Sequence, residues 1–257
     1  MRRRSLRRRP PAALAPEDHR RSYFHGLTAS RKHRFFMRIC LTGANGALGR
    51  VVHAALLEAG DQVVGLAGEN SVATSNLDLI IAGDLSDPDQ ARAAVETAAR
   101  RIGGFDALVH LAGAFRWLPV AQSSPDDWRA LYAANVESAV CTIQAALPHL
   151  AQNASIVLVG AHSAQVAGAG MAPYAAAKSG VARLAEALSV ELRPAAVRVN
   201  AILPSIIDTL TNRRDMPEAD FTQWTSPAAI ADTIRFLASP ASRAVNGALL
   251  PVINPAV

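Results

Sequence analysis

Two residue types that can move a proton lie four positions apart in this chain. Tyr174 and Lys178 are separated by three alanines, and helical residues at i and i+4 share one face. A fixed cation beside a phenol stabilises the phenolate and lowers its pKa from about 10, so that the hydroxyl can exchange a proton. Lys178 is the only lysine after residue 32. Because the chain otherwise uses arginine, this indicates that an amine is needed there.

A second group of residues has the composition of a phosphate-binding turn. The segment TGANGALG at 42–49 lies between a short apolar run and a segment rich in alanine and leucine. Glycine allows a backbone to approach a pyrophosphate closely, and a helix that follows offers free N–H groups and a positive dipole end. In a strand–turn–helix context this pattern predicts a dinucleotide site. The candidate cofactor contacts are Gly43, Asn45, Gly46, Leu48 and Gly49.

A parallel sheet with covering helices is the architecture predicted to position these residues. From Met37 onward, β-branched runs alternate with segments of helical period. This predicts one Rossmann-type, doubly wound α/β domain with about seven parallel strands and helices on both faces. The predicted strands are 38–42, 62–66, 79–82, 107–111, 155–159, 197–202 and 248–252. The predicted helices are 48–59, 88–102, 125–149, 173–192 and 227–237, two of them with a proline in the first turn.

The formal net charge of +5 divides unevenly at Met37. Residues 1–36 hold 11 of the 26 basic residues and only two acids, so the remainder of the chain is mildly acidic. A basic nucleic-acid surface on the folded part is therefore not expected. The arginine- and proline-rich leader shows no structural period and predicts disorder. It is either a basic arm or an upstream extension of a chain whose true start is Met37.

Apolar runs and cysteines restrict the compartment and the kind of site. No run approaches the roughly 20 apolar residues of a membrane span. Cys40 and Cys141 lie in apolar segments without metal-ligand spacing, which indicates buried free thiols, no metal site and a cytoplasmic protein. The expected partner is a small-molecule substrate, with no nucleic acid and no membrane.

The glycine turn and the Tyr174–Lys178 pair together resemble the short-chain dehydrogenase/reductase family, over residues 37 to about 252. The resemblance implies an oxidoreductase that transfers a hydride with NAD or NADP. It implies that Tyr174 donates the proton and that Lys178 holds the nicotinamide ribose. Asn135, in the segment ANV, matches the asparagine that holds a water of the proton relay in that family.

Further cofactor contacts follow from the same resemblance. They are carried by the segment DL after the third strand, by HLAG after the fourth, which replaces two asparagines of the family turn, and by VNAILPSIIDT after the sixth. The implied contact residues are Asp84, Leu85, Ala112, Gly113, Ile207 and Thr209. Members of the family pair through the helices that hold Asn135 and Tyr174, so a homodimer or homotetramer is implied.

Two departures from the family pattern leave alternatives open. The acid that favours NAD is absent from the end of the second strand, where Ala67 stands; Glu69 either replaces it or is a solvated loop residue, so the preference between NAD and NADP stays open. The family's serine, 13 residues before the tyrosine, is Ala161 here. Either Ser163 or His162 replaces its hydroxyl, or nothing does, in which case a simple ketone is harder to polarise.

A missing serine is also typical of a dihydropteridine reductase-like branch of the family. The chain resembles that branch in GALG at 46–49, in Gly170-Met171, and in DTLTNRRDMPEADF at 208–221. The resemblance implies a small conjugated imine, such as a quinonoid pterin, or a carbonyl as substrate. The alternative is a dinucleotide-binding sensor or scaffold without turnover. Candidate substrate-wall residues are Phe115, Trp117, Met216, Phe221 and Trp224.

Overall fold

Parallel strands form one continuous sheet in the computed structural model, which describes residues 36–68 and 78–254. The strands are β1 (Arg38–Thr42), β2 (Gln62–Ala67), β3 (Leu79–Ile81), β4 (Phe105–His110), β5 (Leu150–Val159), β6 (Arg198–Pro204) and β7 (Leu249–Val252). Their spatial order is β3-β2-β1-β4-β5-β6-β7, and every pair is parallel. The predicted doubly wound sheet is therefore confirmed.

Helices cover both faces of this sheet. They are α1 (Ala47–Glu58), α2 (Pro88–Ile102), α3 (Pro125–Tyr132), α4 (Ser138–Ala146), α5 (Ala172–Glu191), α6 (Leu210–Asp215) and α7 (Pro227–Ala238). One core lies between the sheet and α2, α4 and α5, and the other lies between the sheet and α1 and α7. Consecutive strand residues serve opposite cores: Cys40 belongs to the first, and Ile39 and Leu41 to the second.

Local sequence signals explain where the helices begin. Ser124 and Ser226 cap α3 and α7, and a proline follows each of them in the first turn. At α2, the Asp87 carboxylate accepts hydrogen bonds from two N–H groups of the first turn, and Gly103 ends the helix in the left-handed conformation. Side chains therefore cap the N-termini of α2, α3 and α7.

The prediction of one helix over 125–149 is wrong in its middle. A π turn at Ala133–Glu137 separates α3 from α4, and the last residues, Leu147–His149, form a 3-10 turn. The short helix α6 was not predicted, because its sequence has no apolar period. The other predicted elements occur with ends shifted by up to five residues, the largest shift being the early start of β5 at Leu150.

The predicted disorder of the leader and the predicted role of Glu69 concern residues that the structure does not describe. Residues 1–35 and Glu69 lie outside the described ranges. Within the described ranges, no helix has the length and apolar character needed to cross a membrane. Both cysteines are free thiols; Cys40 is buried and Cys141 half-buried.

The Arg198 guanidinium fastens the chain after α7 to β6. It donates to the carbonyls of Leu237, Ser239, Ser242 and Val245 at 3.1–3.2 Å. We expect Arg198→Met to lower the free energy of unfolding by about 3 kcal/mol, because it removes four hydrogen bonds between a charged donor and backbone carbonyls. Urea denaturation would measure this, with exposed Arg193→Met as the matched control. Equal midpoints for the two variants would contradict the assignment.

Candidate active site

Most of the candidate site residues lie at one edge of the sheet. In a parallel sheet the carboxyl ends of all strands meet at the same edge, where open α/β folds bind their ligands. The turns after β1, β3, β4 and β6 carry the cofactor candidates. Tyr174 and Lys178 come from α5, and Asn135 from the π turn. The strand order places Asp84 and Leu85, after β3, at the far end of this row.

The glycine turn after β1 has the shape of an anion cradle. Gly43 has a left-handed φ of 65°, and a Cβ there would lie 2.9 Å from the Ala112 nitrogen. A Cβ on Gly49 would overlap the Gly43 carbonyl. Gly46 begins α1 without a side-chain cap, so the first-turn N–H groups face the exposed turn. These features fit the pyrophosphate of a dinucleotide.

The rest of the glycine segment follows the same arrangement. Asn45 and Leu48 are half-buried beside the exposed Gly46. The carbonyl of Asn45 accepts a hydrogen bond from Arg50 Nε at 3.0 Å. This bond ties the turn to the outer face of α1 and leaves the cradle open.

The turns after β1 and β4 are held together by one hydroxyl. Thr42 Oγ1 accepts hydrogen bonds from the Leu111 and Ala112 N–H groups, each at 3.1 Å. Beyond Ala112, the bare Cα of Gly113 faces the candidate catalytic side chains. A Cβ there would lie 2.6 Å from Asn135 Oδ1 and 3.2 Å from Lys178 Nζ. The glycine turn, the HLAG turn and these two side chains therefore converge on one point.

Lys178 is buried, and its ammonium is held by a backbone carbonyl. Nζ donates to the Val159 carbonyl at 2.9 Å and lies 5.9 Å from the centre of the Tyr174 ring. Burial disfavours the charged form and lowers the pKa of Lys178 to about 8. The cation is thus present at neutral pH, but loss of solvent makes it a weaker base than an exposed lysine.

Tyr174 does not have the lowered pKa expected from its spacing to Lys178. Burial raises the pKa of its phenol to about 12, because the phenolate would lose its water. The amine is engaged by the Val159 carbonyl and lies 5.9 Å from the ring centre, so the stabilisation that its charge gives the phenolate does not outweigh that loss. Tyr174 therefore keeps its proton throughout the neutral range.

Asn135 owes its direction to the π turn. The wider turn lets its side chain leave the helix and reach the backbone after β4. Its Nδ2 donates to the carbonyls of Ala114 at 2.9 Å and Leu131 at 2.8 Å, and Oδ1 accepts from the Ala114 N–H at 3.3 Å. The side chain thus links the π turn to the HLAG turn, and one lone pair of Oδ1 is left over.

The cofactor candidates at the two ends of the row differ in exposure. Asp84 is exposed, and its Oδ1 accepts from the Ser86 N–H and hydroxyl, whereas Leu85 packs into the core. Ile207, half-buried, pairs with Thr225 in an isolated parallel bridge. Thr209 caps α6 by accepting from the Asn212 N–H at 3.2 Å, which leaves its hydroxyl proton available to a ligand.

The position of the family's serine contains no hydroxyl. Ala161 is buried at the end of β5, His162 is exposed, and Ser163 is half-buried in a short 3-10 turn. His162 therefore faces solvent in this structure. Ser163 remains a candidate for the missing donor.

Trp117 is fixed by the segment that precedes Tyr174. Its indole N–H donates to the Ala169 carbonyl at 3.1 Å, and a Cβ on Gly170, whose φ is 75°, would overlap the indole ring. Phe115 contacts the Tyr174 ring edge-on, with centroids 4.9 Å apart. Sequence reasoning missed the contact between Trp117 and Gly170, although a glycine four residues before the tyrosine was a visible signal.

The other candidate wall residues differ in exposure. Met216 is at the surface, and Phe221 is half-buried under the Arg213 guanidinium at 4.8 Å. Trp224 is only 6% exposed and packs against Phe221. Trp224 is therefore packed behind Phe221 in this structure, and a direct contact between Trp224 and a substrate stays a prediction.

Comparison with known proteins decides the family. Residues 44–252 match the family model described as enoyl-(acyl carrier protein) reductase. The chain belongs to the short-chain dehydrogenase/reductase family. Among its relatives is the 3-oxoacyl-(acyl-carrier-protein) reductase of Vibrio cholerae, which is 28% identical over 228 residues, 82% of this chain and 93% of the relative.

Solved structures of short-chain dehydrogenases have the same fold. A short-chain dehydrogenase/reductase named glucose/ribitol dehydrogenase, from Brucella melitensis, is 31% identical with a TM-score of 0.75 over 83% of this chain and 94% of that one. A short-chain dehydrogenase from Burkholderia cenocepacia in complex with NADP is 28% identical, with a TM-score of 0.76 over 84% and 95%. This chain is therefore an NAD(P)-dependent oxidoreductase of the family, and the preference between NAD and NADP stays open.

A methyl group added at Gly113 tests whether this glycine lies directly against Asn135 and Lys178. We expect Gly113→Ala to weaken NADPH binding by about tenfold, since the new methyl group displaces Asn135 and crowds Lys178. Gly168→Ala is the matched control, because its Cβ would meet no atom closer than 3.7 Å. Fluorescence titration of NADPH measures both affinities. Equal affinities for the two variants would show that the turn has more room than the geometry allows.

Proposed function

We propose that the chain reduces a small conjugated imine, such as a quinonoid pterin, or a small carbonyl compound, with Tyr174 as the proton donor. A bound nicotinamide nucleotide supplies the hydride. The observation that carries the proposal is the placement of the Lys178 ammonium 5.9 Å from the centre of the Tyr174 ring, beside the turn after β4 that Asn135 contacts. The phenol holds its proton at neutral pH, so that it is present as the acid when a substrate accepts a hydride.

Lys178 and Asn135 support this proton transfer. The ammonium of Lys178 stabilises the phenolate that forms when Tyr174 gives up its proton, and it is near enough to do so without pairing with the resting phenol. We assign its remaining donors to the nicotinamide ribose. The free lone pair of Asn135 Oδ1 is the acceptor for a water that returns a proton from solvent to the site.

The proposed substrate class follows from what stands at the position of the serine. Ala161 offers no hydroxyl to polarise a carbonyl oxygen, so a substrate that is already electron-poor and conjugated is favoured. The exposed rings of Phe115 and Trp117, each 59% exposed, provide flat apolar surface beside Tyr174. The names of the relatives refer to different substrates, an acyl chain and a sugar, so the substrate assignment depends on the site itself.

Three further assignments belong to this proposal. A homodimer or homotetramer is supported by the exposed apolar side chains of Tyr132 and Val190 on α3 and α5. A cytoplasmic location is supported by two cysteines kept as free thiols. A start at Met37 is supported by the charge division of the sequence and by the buried position of that residue at the head of β1.

A substrate panel tests the proposed function. Oxidation of NADH and NADPH would be followed with a quinonoid dihydropterin and with simple ketones. We expect turnover with the dihydropterin at a kcat/KM at least tenfold above that with the ketones, because Ala161 cannot assist the ketone. A preference for the ketones would overturn the proposed substrate class.

Tyr174→Phe provides the control for the mechanism in the same assay. The variant keeps the ring against Phe115 but has no proton to give, so kcat should fall by about 100-fold or more while NADPH still binds. Turnover by Tyr174→Phe at the wild-type rate would overturn the role of the phenol. Absence of turnover in both proteins, with NADPH bound, would favour the sensor alternative.

The pH dependence should report Lys178. Burial lowers its pKa to about 8, so the ammonium is present below that pH and is lost above it. Tyr174 keeps its proton over the same range. We therefore expect kcat/KM to decrease as pH rises through about 8, and Lys178→Met to remove this decrease from a rate about 100-fold lower. A wild-type profile that stays flat to pH 10 would contradict the assignment.

A further inference from the structure

His110 is a buried titratable residue that the proposed mechanism does not use. It ends β4 beneath the site, with 3% of its surface exposed. Its Nδ1 lies 3.1 Å from Thr42 Oγ1 and its Nε2 lies 3.4 Å from Ser138 Oγ. Burial and the nearby Lys178 charge lower its pKa to about 3, so the imidazole is neutral and must donate at one nitrogen and accept at the other.

The neighbouring hydrogen bonds determine which nitrogen carries the proton. Thr42 Oγ1 already accepts from the Leu111 and Ala112 N–H groups. Both of its lone pairs are then used, so its own proton is directed at His110 Nδ1. The imidazole proton therefore lies on Nε2 and is directed at Ser138 Oγ. Ser138 in turn donates to the Ala134 carbonyl at 2.7 Å, which completes one consistent direction of donation.

Both ends of this chain of hydrogen bonds lead to the same side chain. At one end, Thr42 fixes Ala112, next to the Gly113 that faces Asn135 and Lys178. At the other end, Ser138 fixes Ala134, which precedes Asn135 in the π turn. The imidazole thus spans the gap between the turn that Asn135 contacts and the turn from which it comes.

We propose that His110 is a positioning residue, which holds the π turn of Asn135 at a fixed distance from the HLAG turn through Thr42 on one side and Ser138 on the other. It touches neither substrate nor cofactor. Its effect on catalysis is to keep Asn135 and Lys178 in place for proton transfer, and in this respect it rests on the proposed function.

Two variants break the Ser138 arm of the bridge from opposite sides. In His110→Asn the amide oxygen replaces Nδ1 and keeps the Thr42 arm, but the shorter side chain does not reach Ser138. Ser138→Ala removes the same arm by removing the hydroxyl. We expect each to lower kcat by about tenfold with NADPH affinity within twofold of wild type, as loss of one buried hydrogen bond suggests. The double variant should be no worse than the worse single variant, because both remove the same link.

Ser189→Ala is the matched control. Ser189 is also a buried helical serine that donates to a carbonyl, that of Glu186 at 2.7 Å, but it lies at the far end of α5. We expect its kcat to equal that of wild type. A tenfold loss in this variant as well would show that loss of any buried serine bond lowers kcat, and would overturn the positioning role.

Two readouts do not depend on turnover. Nitrogen-15 NMR of His110 should show a proton on Nε2 and no titration between pH 5 and 8. Amide hydrogen exchange should accelerate in residues 133–138 in both His110→Asn and Ser138→Ala, with exchange in the sheet unchanged. A proton on Nδ1, or acceleration spread evenly over the fold, would overturn the bridge.

The outcomes separate this inference from the proposed function. If Tyr174→Phe abolishes turnover while His110→Asn and Ser138→Ala retain wild-type kcat, the positioning role is overturned and the proposed function stands. If wild type turns over none of the panel, the proposed function fails, and the exchange and tautomer measurements still decide whether His110 forms the bridge.

Discussion

The backbone turns after β1 and β4 approach so closely that no side chain fits between them. The Cβ that an alanine would place at Gly43 comes within 2.9 Å of the Ala112 nitrogen, and the Thr42 hydroxyl holds the two nearest N–H groups. Both strands lie in the centre of the sheet. The position of this contact therefore determines where the glycine turn lies relative to the π turn and α5, which carry the candidate catalytic side chains. The glycines are therefore a requirement of packing as much as of ligand binding.

Desolvation controls the chemistry that is built on this frame. The same burial raises the pKa of the phenol and lowers that of the ammonium, so both groups of the Tyr174–Lys178 pair are driven towards their neutral forms. The phenol consequently holds its proton more strongly, and the amine less strongly, than spacing on an exposed helix would suggest. The Val159 carbonyl limits this effect by giving the ammonium one fixed acceptor.

The sequence was sufficient to predict the sheet, because near-continuous apolar runs of this length are typical of parallel strands that are buried on both faces. It was also sufficient for the glycine turn and for the pairing of Tyr174 with Lys178, which depend on spacing within one element. It did not show the π turn, since Ala133–Glu137 has an ordinary helical composition and the turn occurs where Asn135 makes a contact with Ala114 that is distant in sequence. Nor did it show the pKa direction of Tyr174, which depends on burial by distant segments.

The contact between Trp117 and Gly170 couples the shape of the substrate opening to the position of the proton donor. Without this contact, the two could change independently during evolution. The indole lies at the mouth of the site, where residues that select a substrate are expected, yet its N–H and ring fasten the segment that leads into Tyr174. A change that widens the mouth at this position also loosens the approach to the proton donor. New substrates are therefore more accessible to evolution through α6, which takes no part in this contact, than through Trp117.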